Sequence, residues 1–259
     1  MKLQWWLVEC KDQIVTIKLN APPANTLSVA VLEELDRLVR FLETDDSSKA
    51  VILTAQGRHF CAGADIRELA QISTIEQGRT FARRGQGLFN RIEALDKPVV
   101  AAISGACVGG GLELAMACHI RIAGHDAFFG LPELDLGIIP GFGGTQRLPR
   151  LVGSARAMEM ILTGSRLSAD EAMAAGLVSD VQLRSELLPR AHVLAESIVR
   201  KSRSALRGAM QALRIPCSPP AEEDLEQEAS LFATLLQTRD AKEGLLAFIE
   251  KRPPRFTDR

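Results

Sequence analysis

KPVVAAISGACVGGGLELAMAC, residues 97–118, decides how the rest of the chain is read. Pro98 to Ile103 is a short apolar run bounded by Pro and Gly, the pattern of a strand covered on both faces. A glycine turn follows, and the spacing predicts a helix opening at Gly110 or Gly111. Gly109, Gly110 and Gly111 then lie where the first N–H groups of a helix have no partner within it. Such an end favours negative charge, transient charge included. Glu113 follows at once in an otherwise apolar helix. A carboxylate beside free N–H groups is a candidate site; the alternative is a surface Glu that only complements the helix dipole.

Upstream, Trp5 to Cys10 and Gln13 to Leu19 form a predicted hairpin turning at Lys11-Asp12. Pro22-Pro23 breaks the chain. Leu32, Leu35, Leu38 or Val39, and Leu42 mark an amphipathic helix with Ser28 as its cap. Ala50 to Ala55 is a short apolar strand, and a loop from Gln56 to Asp65 leads into a helical stretch ending near Leu95. Downstream, Ile120–Ala123, Ala127–Phe129 and Val178–Val181 are strand-like. Ala155–Leu162 is helical, and Ser168 with Glu171 forms a capping box for a short helix ending at Gly176. Strands alternating with helices predict an α/β layer architecture. Residues 131–153, LPELDLGIIPGFGGTQRLPRLVG, are too irregular for one element and too apolar for a solvated linker, so they plug a core or line a site. Beyond about residue 185 only helical patterns remain, over 185–213, 221–237 and 240–251.

The chain has 259 residues, 46% of them apolar, enough for a sizeable core. Lys and Arg number 31 against 32 Asp and Glu, so charge balance makes no case for nucleic-acid or membrane partners. Five cysteines without a C-x-x-C pair or a histidine grouping predict reduced thiols, a cytoplasmic setting and no metal site. No apolar run approaches the roughly 18 residues of a spanning helix. No G-x-G-x-x-G follows a strand at the central turn, and neither a P-loop, a G-x-S-x-G elbow nor an H-E-x-x-H is present. What remains is two glycine-rich turns after strands, 56–65 and 104–111, and two carboxylates, Glu113 and Glu133. Converging N–H groups make an oxyanion hole, and paired carboxylates divide acid and base work. Together they suit chemistry through an enolate next to a carbonyl, although Glu133 in LPELDL reads equally well as a loop carboxylate.

Three separated motifs, HFCAGADI (59–66), GGGLELAMAC (109–118) and FGLPELDLGIIPGFGGTQRLPRLVG (129–153), resemble the enoyl-CoA hydratase/isomerase family, the crotonase superfamily. Their order and spacing match, and the resemblance runs from about Lys2 to AFIEKR near the C-terminus. It implies an α/β spiral of repeated ββα units over 1–195, carrying the site. It also implies a helical C-terminal region over 196–259 used in trimer contacts, with a homo-oligomer of one trimer or two. By the same resemblance Ala64 and Gly110 are the oxyanion N–H donors, and Glu113 and Glu133 the two catalytic glutamates of the hydratases. Retention of both favours water addition to a trans-2-enoyl-CoA, giving a 3-hydroxyacyl-CoA, over isomerisation of the double bond. Glu113 is assigned to activating water and Glu133 to the proton at C2, a division that reverses with the direction of reaction. The acyl-CoA thioester is the substrate, and no cofactor is implied.

Ala62, Asp65, Ile66 and Arg67 match the segment that runs along CoA. Phe248 and Lys251 match C-terminal residues that reach it, and Phe142 lies in the loop beside the acyl pocket, as a bound on acyl length or a core residue. Two positions depart from the family pattern. NAPPAN (20–25) lacks the basic residue common after the first hairpin, and His119 stands where Asp is common. His119 is expected to be structural, and Cys61 and Cys107 to be small packing residues.

Overall fold

A computed structural model of the chain describes residues 3–213, 232, 234 and 238–257. Strands β1 (Trp6–Lys11) and β2 (Ile14–Leu19) pair antiparallel. They turn at Asp12 and Gln13, both at positive φ as a type I′ turn requires. From β2 onward the large sheet is parallel: β3 (Ala50–Ala55), β4 (Val99–Ile103), β6 (Ile120–Gly124) and β9 (Asp180–Gln182) extend it in the order β1-β2-β3-β4-β6-β9. A smaller sheet orders β5 (Ala106–Val108), β7 (Phe128–Gly130) and β8 (Arg166–Ser168), with β5 and β7 parallel.

Helix α1 (Val29–Thr44) connects β2 to β3, and its Ser28 cap accepts the Val31 N–H as expected. Helices α2 (Ile66–Leu69) and α3 (Ile75–Glu93) lie between β3 and β4, and α4 (Gly110–Ala117) follows β5. After β7 come a 3-10 turn at Glu133–Leu136, then α5 (Gly144–Val152) and α6 (Ser154–Thr163). The last described elements are α7 (Ala169–Ala174), α8 (Arg184–Val199), α9 (Arg203–Leu213) and the helix Arg239–Ile249. Two strands and a helix recur as β1-β2-α1, β4-β5-α4 and β6-β7-α5. In the last two units the first strand joins the large sheet and the second the small one.

Period-two alternation with both faces covered explains why β4 and the first four residues of β3 read as unbroken apolar runs. Val51, Leu53, Val99, Ala101 and Ile103 face the main core, built with α1, α3 and α4. Ala50, Ile52, Val100 and Ala102 face the other way, onto Leu187, Ala191 and Ala195 of α8. Each large aliphatic side chain buried in this way contributes about 1.5–3 kcal/mol.

The structure refines the predicted elements at three points. The turn after β4 contains a strand, β5, because residues 106–108 pair with β7. The helical stretch before β4 is broken, and α3 restarts at a capping box formed by Thr74 and Gln77. The irregular stretch 131–153 holds the 3-10 turn and α5, which accommodates Pro149. The capping box of α7 forms as read, with Ser168 and Glu171 bonded reciprocally. Apart from 232 and 234, the helix expected over 221–237 lies outside the described residues.

Candidate active site

Two turns meet at the C-terminal ends of β3 and β4. The loop after β3 runs beside β5: Cys61 N–H donates to the Ala106 carbonyl at 3.0 Å, and Val108 N–H to the Cys61 carbonyl at 3.1 Å. Gly111 permits this approach, since a Cβ there would lie 2.3 Å from the Cys61 carbonyl oxygen. On its other side the loop is held by the segment after β2, where Ala62 N–H donates to Ala24 and Leu27 N–H to Gly63. The Ala64 nitrogen is thereby brought beside Gly110, 3.4 Å from where a Gly110 Cβ would stand. Gly110 opens α4, and the N–H groups of a first helical turn have no partner within the helix.

Glu113 sits on that first turn, 1% exposed. Its Oε1 accepts two backbone N–H groups, from Phe142 at 2.8 Å and Gly144 at 2.7 Å. Burial pushes its pKa up to about 6, while the two N–H groups and the charge of Arg147 act in the opposite direction. Glu133, half-buried on the 3-10 turn, is pushed up to about 7, first by burial and then by the charge of Glu113. Its Oε2 is buried and accepts no hydrogen bond among the described residues. Such an oxygen is stabilised when it carries a proton or meets a ligand. Two carboxyls held at unequal pKa values near neutrality can act as an acid and a base at one centre.

Both glutamates line a cavity of about 1150 Å³, together with Ala62, Ala64, Gly110, Ile66 and Phe142. Phe142 is buried as well as lining: its ring lies 5.2 Å from that of Phe81 and 5.5 Å from that of Phe89. Three other predicted residues stand apart from the lining. Asp65 caps α2 by accepting the Arg67 N–H at 2.9 Å, and Arg67 lies on that short exposed helix. Lys251 follows the C-terminal helix at a positive φ and is exposed; the Phe248 side chain lies outside the described residues.

The model of the enoyl-CoA hydratase/isomerase family matches residues 9–259. The chain belongs to the enoyl-CoA hydratase/isomerase family. It is 47% identical over 247 residues to a probable enoyl-CoA hydratase of Bacillus subtilis, covering 95% of this chain and 96% of that one. To a short-chain-enoyl-CoA hydratase of Clostridium acetobutylicum it is 42% identical, with 97% of each chain covered. The crystal structure of an enoyl-CoA hydratase from Bacillus anthracis superposes with a TM-score of 0.94 at 40% identity, over 99% of this chain and 100% of that one. The α/β architecture is therefore that of the crotonase fold, and the chain is an enzyme of this family.

Within this family member, the other singled-out groups are structural. Burial pushes the Cys61 thiol up to about 12 and raises that of Cys107 well above its ordinary value, so both stay protonated and pack. His119 Nδ1 accepts the Val99 N–H at 3.0 Å, which leaves its Nε2 facing the Glu93 carbonyl at 3.2 Å. Two residues beyond the motif reading bear on the site. Asn25 accepts from Ala21 N–H and donates to the carbonyls of Gln56 and His59. Arg147 is buried behind the loop that holds Glu113. Each has one near partner, Ala21 or Phe142, but the partners that tie it to the other side of the site lie 31 to 57 residues away. Among the described residues no helix is long and apolar enough to cross a membrane.

Proposed function

We propose that this enzyme adds water across the C2=C3 bond of a trans-2-enoyl-CoA, giving a 3-hydroxyacyl-CoA. The observation that carries this reading is the pair of carboxyls, Glu113 and Glu133, facing one cavity beside the Ala64 and Gly110 nitrogens. The hydratase names of relatives at 42–47% identity support it.

In the proposed mechanism Glu113 is ionised and takes a proton from water as its oxygen bonds to C3. The π electrons move through C2 onto the thioester oxygen, which the Ala64 and Gly110 N–H groups stabilise as an enolate. Glu133 supplies the proton that C2 gains as the carbonyl re-forms. Burial raises both carboxyls toward neutrality and the charge of Glu113 raises Glu133 further, so one can hold a proton while the other is ionised. Dehydration reverses both roles. Water and the thioester supply every atom, so no cofactor enters.

The CoA portion would run along Ala62, Asp65, Ile66 and Arg67, with Phe248 and Lys251 closing on it from the C-terminal end. Residues 196–259 would supply trimer contacts of a cytoplasmic homo-oligomer, one trimer or two, while 1–195 carry the site. Pathways that degrade acyl-CoA, β-oxidation among them, would use such an activity.

The test is the loss of conjugated-thioester absorbance with crotonyl-CoA, for wild type, Glu113→Gln and Glu133→Gln. Each variant is expected to lose about 10²–10⁴-fold in kcat. Hydration that survives in Glu133→Gln would leave a one-glutamate mechanism. A wild type inert on crotonyl-CoA and a longer enoyl-CoA, yet active on a 3-enoyl-CoA, would make the enzyme an isomerase.

A further inference from the structure

The loop that grips Glu113 is itself held from behind. Phe142 and Gly144 direct their N–H groups at one Glu113 oxygen, and between them Gly143 has a φ of 108°. Arg147, one turn into α5, folds back under this loop with its side chain 7% exposed. Its Nη1 donates to the Phe142 carbonyl at 3.0 Å. The rest of the fork is anchored on α3: Nη2 donates to Asn90 Oδ1 at 2.5 Å and Nε to Glu93 Oε2 at 3.0 Å. The guanidinium passes so close to the loop that a Cβ on Gly143 would lie 2.3 Å from Nη1. The Phe142 backbone is therefore held on both sides, its N–H by Glu113 and its carbonyl by Arg147. A lysine could not span these partners, because its ammonium lacks the planar fork.

We infer that Arg147 is a positioning residue for the hydration reaction, tying the 142–144 loop to α3 so that Glu113 is held in a single orientation in the cavity. The inference rests on the reading of Glu113 as the base. Arg147 borders the cavity together with Asn90 and Glu93, but its hydrogen bonds go to the loop and to α3, and it acts on Glu113 through them. Its positive charge also favours the ionised form of Glu113, so its removal alters the proton affinity of the base as well as its placement. A purely structural arginine would affect stability and have neither effect on the base.

The test compares Arg147→Met, Arg147→Lys and Asn90→Ala with wild type, using crotonyl-CoA hydration across pH and thermal unfolding of each protein. Misplacing a catalytic group by about 1 Å costs about 10²-fold. Arg147→Met is expected to lose about that factor in kcat with KM changed by less than about threefold, and the acid limb of kcat/KM should move to higher pH. Arg147→Lys should lose kcat while its acid limb stays near wild type. Asn90→Ala releases one arm of the fork and should show a smaller kcat loss, which keeps the test open if Arg147→Met does not fold. The inference is overturned if folded Arg147→Met keeps kcat within about twofold. An unmoved acid limb, with only the melting temperature lowered, overturns it too. Unchanged kcat in Asn90→Ala, with Arg147→Met unfolded, does the same. Glu113→Gln is run in parallel: full activity there would sink the base assignment, whereas an inactive Glu113→Gln beside unaffected arginine variants would sink this inference alone.

Discussion

The Phe142 N–H donates to Glu113 Oε1 at 2.8 Å while the Phe142 ring closes the cavity, so one residue both holds a carboxylate and bounds the space in front of it. The holding contact comes from the backbone and the bounding contact from the side chain, so mutation can separate them. Phe142→Ala keeps the N–H and removes a ring packed between Phe81 and Phe89. Stability should fall by about 3–5 kcal/mol, the usual cost of a buried Phe→Ala change. Activity on crotonyl-CoA should fall less than activity on an enoyl-CoA of eight or ten carbons rises relative to it. The measurement is the ratio of kcat/KM values for the two substrates. A ratio equal to wild type would remove Phe142 from the acyl boundary and leave it a core residue.

The unequal carboxyls predict the pH profile. With Glu113 near 6 and Glu133 near 7, the species with an ionised base and a protonated acid is most populated between those values. In the proposed mechanism, below about 6 Glu113 gains a proton and cannot accept one from water. Above about 7 Glu133 loses the proton that C2 needs. The kcat/KM of the free enzyme should therefore form a narrow bell with limbs near 6 and 7. Initial rates from pH 5 to 9 decide this, and a profile flat across that range would contradict it.

The same shifts act on stability with the opposite sign from the usual surface carboxylate. Both glutamates bind protons more tightly folded than unfolded, having been raised from 4.5. Between about 4.5 and 7 the folded protein therefore holds protons that the unfolded chain releases, and stability from these groups falls as pH rises. Glu133→Gln removes one of these groups without removing bulk. Its melting temperature should exceed that of wild type at pH 8, and the gap should close as the pH approaches 4.5. A melting temperature below wild type at pH 8 would show that the Glu133 charge is not the cost that its burial indicates.

How far the chain could be read in advance follows from the range of each interaction. Ser28 and the Ser168–Glu171 box were legible because a cap and its partner lie three residues apart. The runs Ala50–Ala55 and Val99–Ile103 were legible because covering both sheet faces leaves almost no polar position in either strand, Thr54 being the exception, with its hydroxyl donating to the Ala102 carbonyl. Glu113 stood out because a carboxylate on the first turn of an apolar helix is unusual by itself. Glu133 did not, since what raises its pKa is its burial and its proximity to Glu113, neither of which LPELDL displays. The strands β5 and β8 are three residues each, too short for any periodicity. Arg147 was hidden for a further reason: its anchors, Asn90 and Glu93, lie 57 and 54 residues away on another helix.

Asn25 was equally hidden, and it makes the most separable prediction about the oxyanion side of the site. It is 1% exposed and adopts a φ of 55° that few side chains tolerate. Its amide accepts the Ala21 N–H at 2.9 Å and donates to the carbonyls of Gln56 at 2.9 Å and His59 at 2.7 Å. Those bonds tie the segment after β2 to the base of the loop that carries Ala64, and the same segment takes the Ala62 N–H and donates to the Gly63 carbonyl. Asn25→Ala would leave two carbonyls and an N–H without partners and place a methyl group in the left-handed region. The expected stability loss is about 2–4 kcal/mol. In the proposed mechanism the loop's anchorage also aligns the Ala64 N–H, so kcat should fall by roughly tenfold or more, since each well-placed oxyanion donor contributes about 3–4 kcal/mol. Ser28→Ala is the matched control: it removes an N-cap bond worth about 1 kcal/mol from α1 and touches neither turn of the site. It should lower the melting temperature and leave kcat at the wild-type value. Equal kcat in Asn25→Ala and Ser28→Ala, both measured well below their melting temperatures, would mean that the first loop braces the fold without aligning the oxyanion donor.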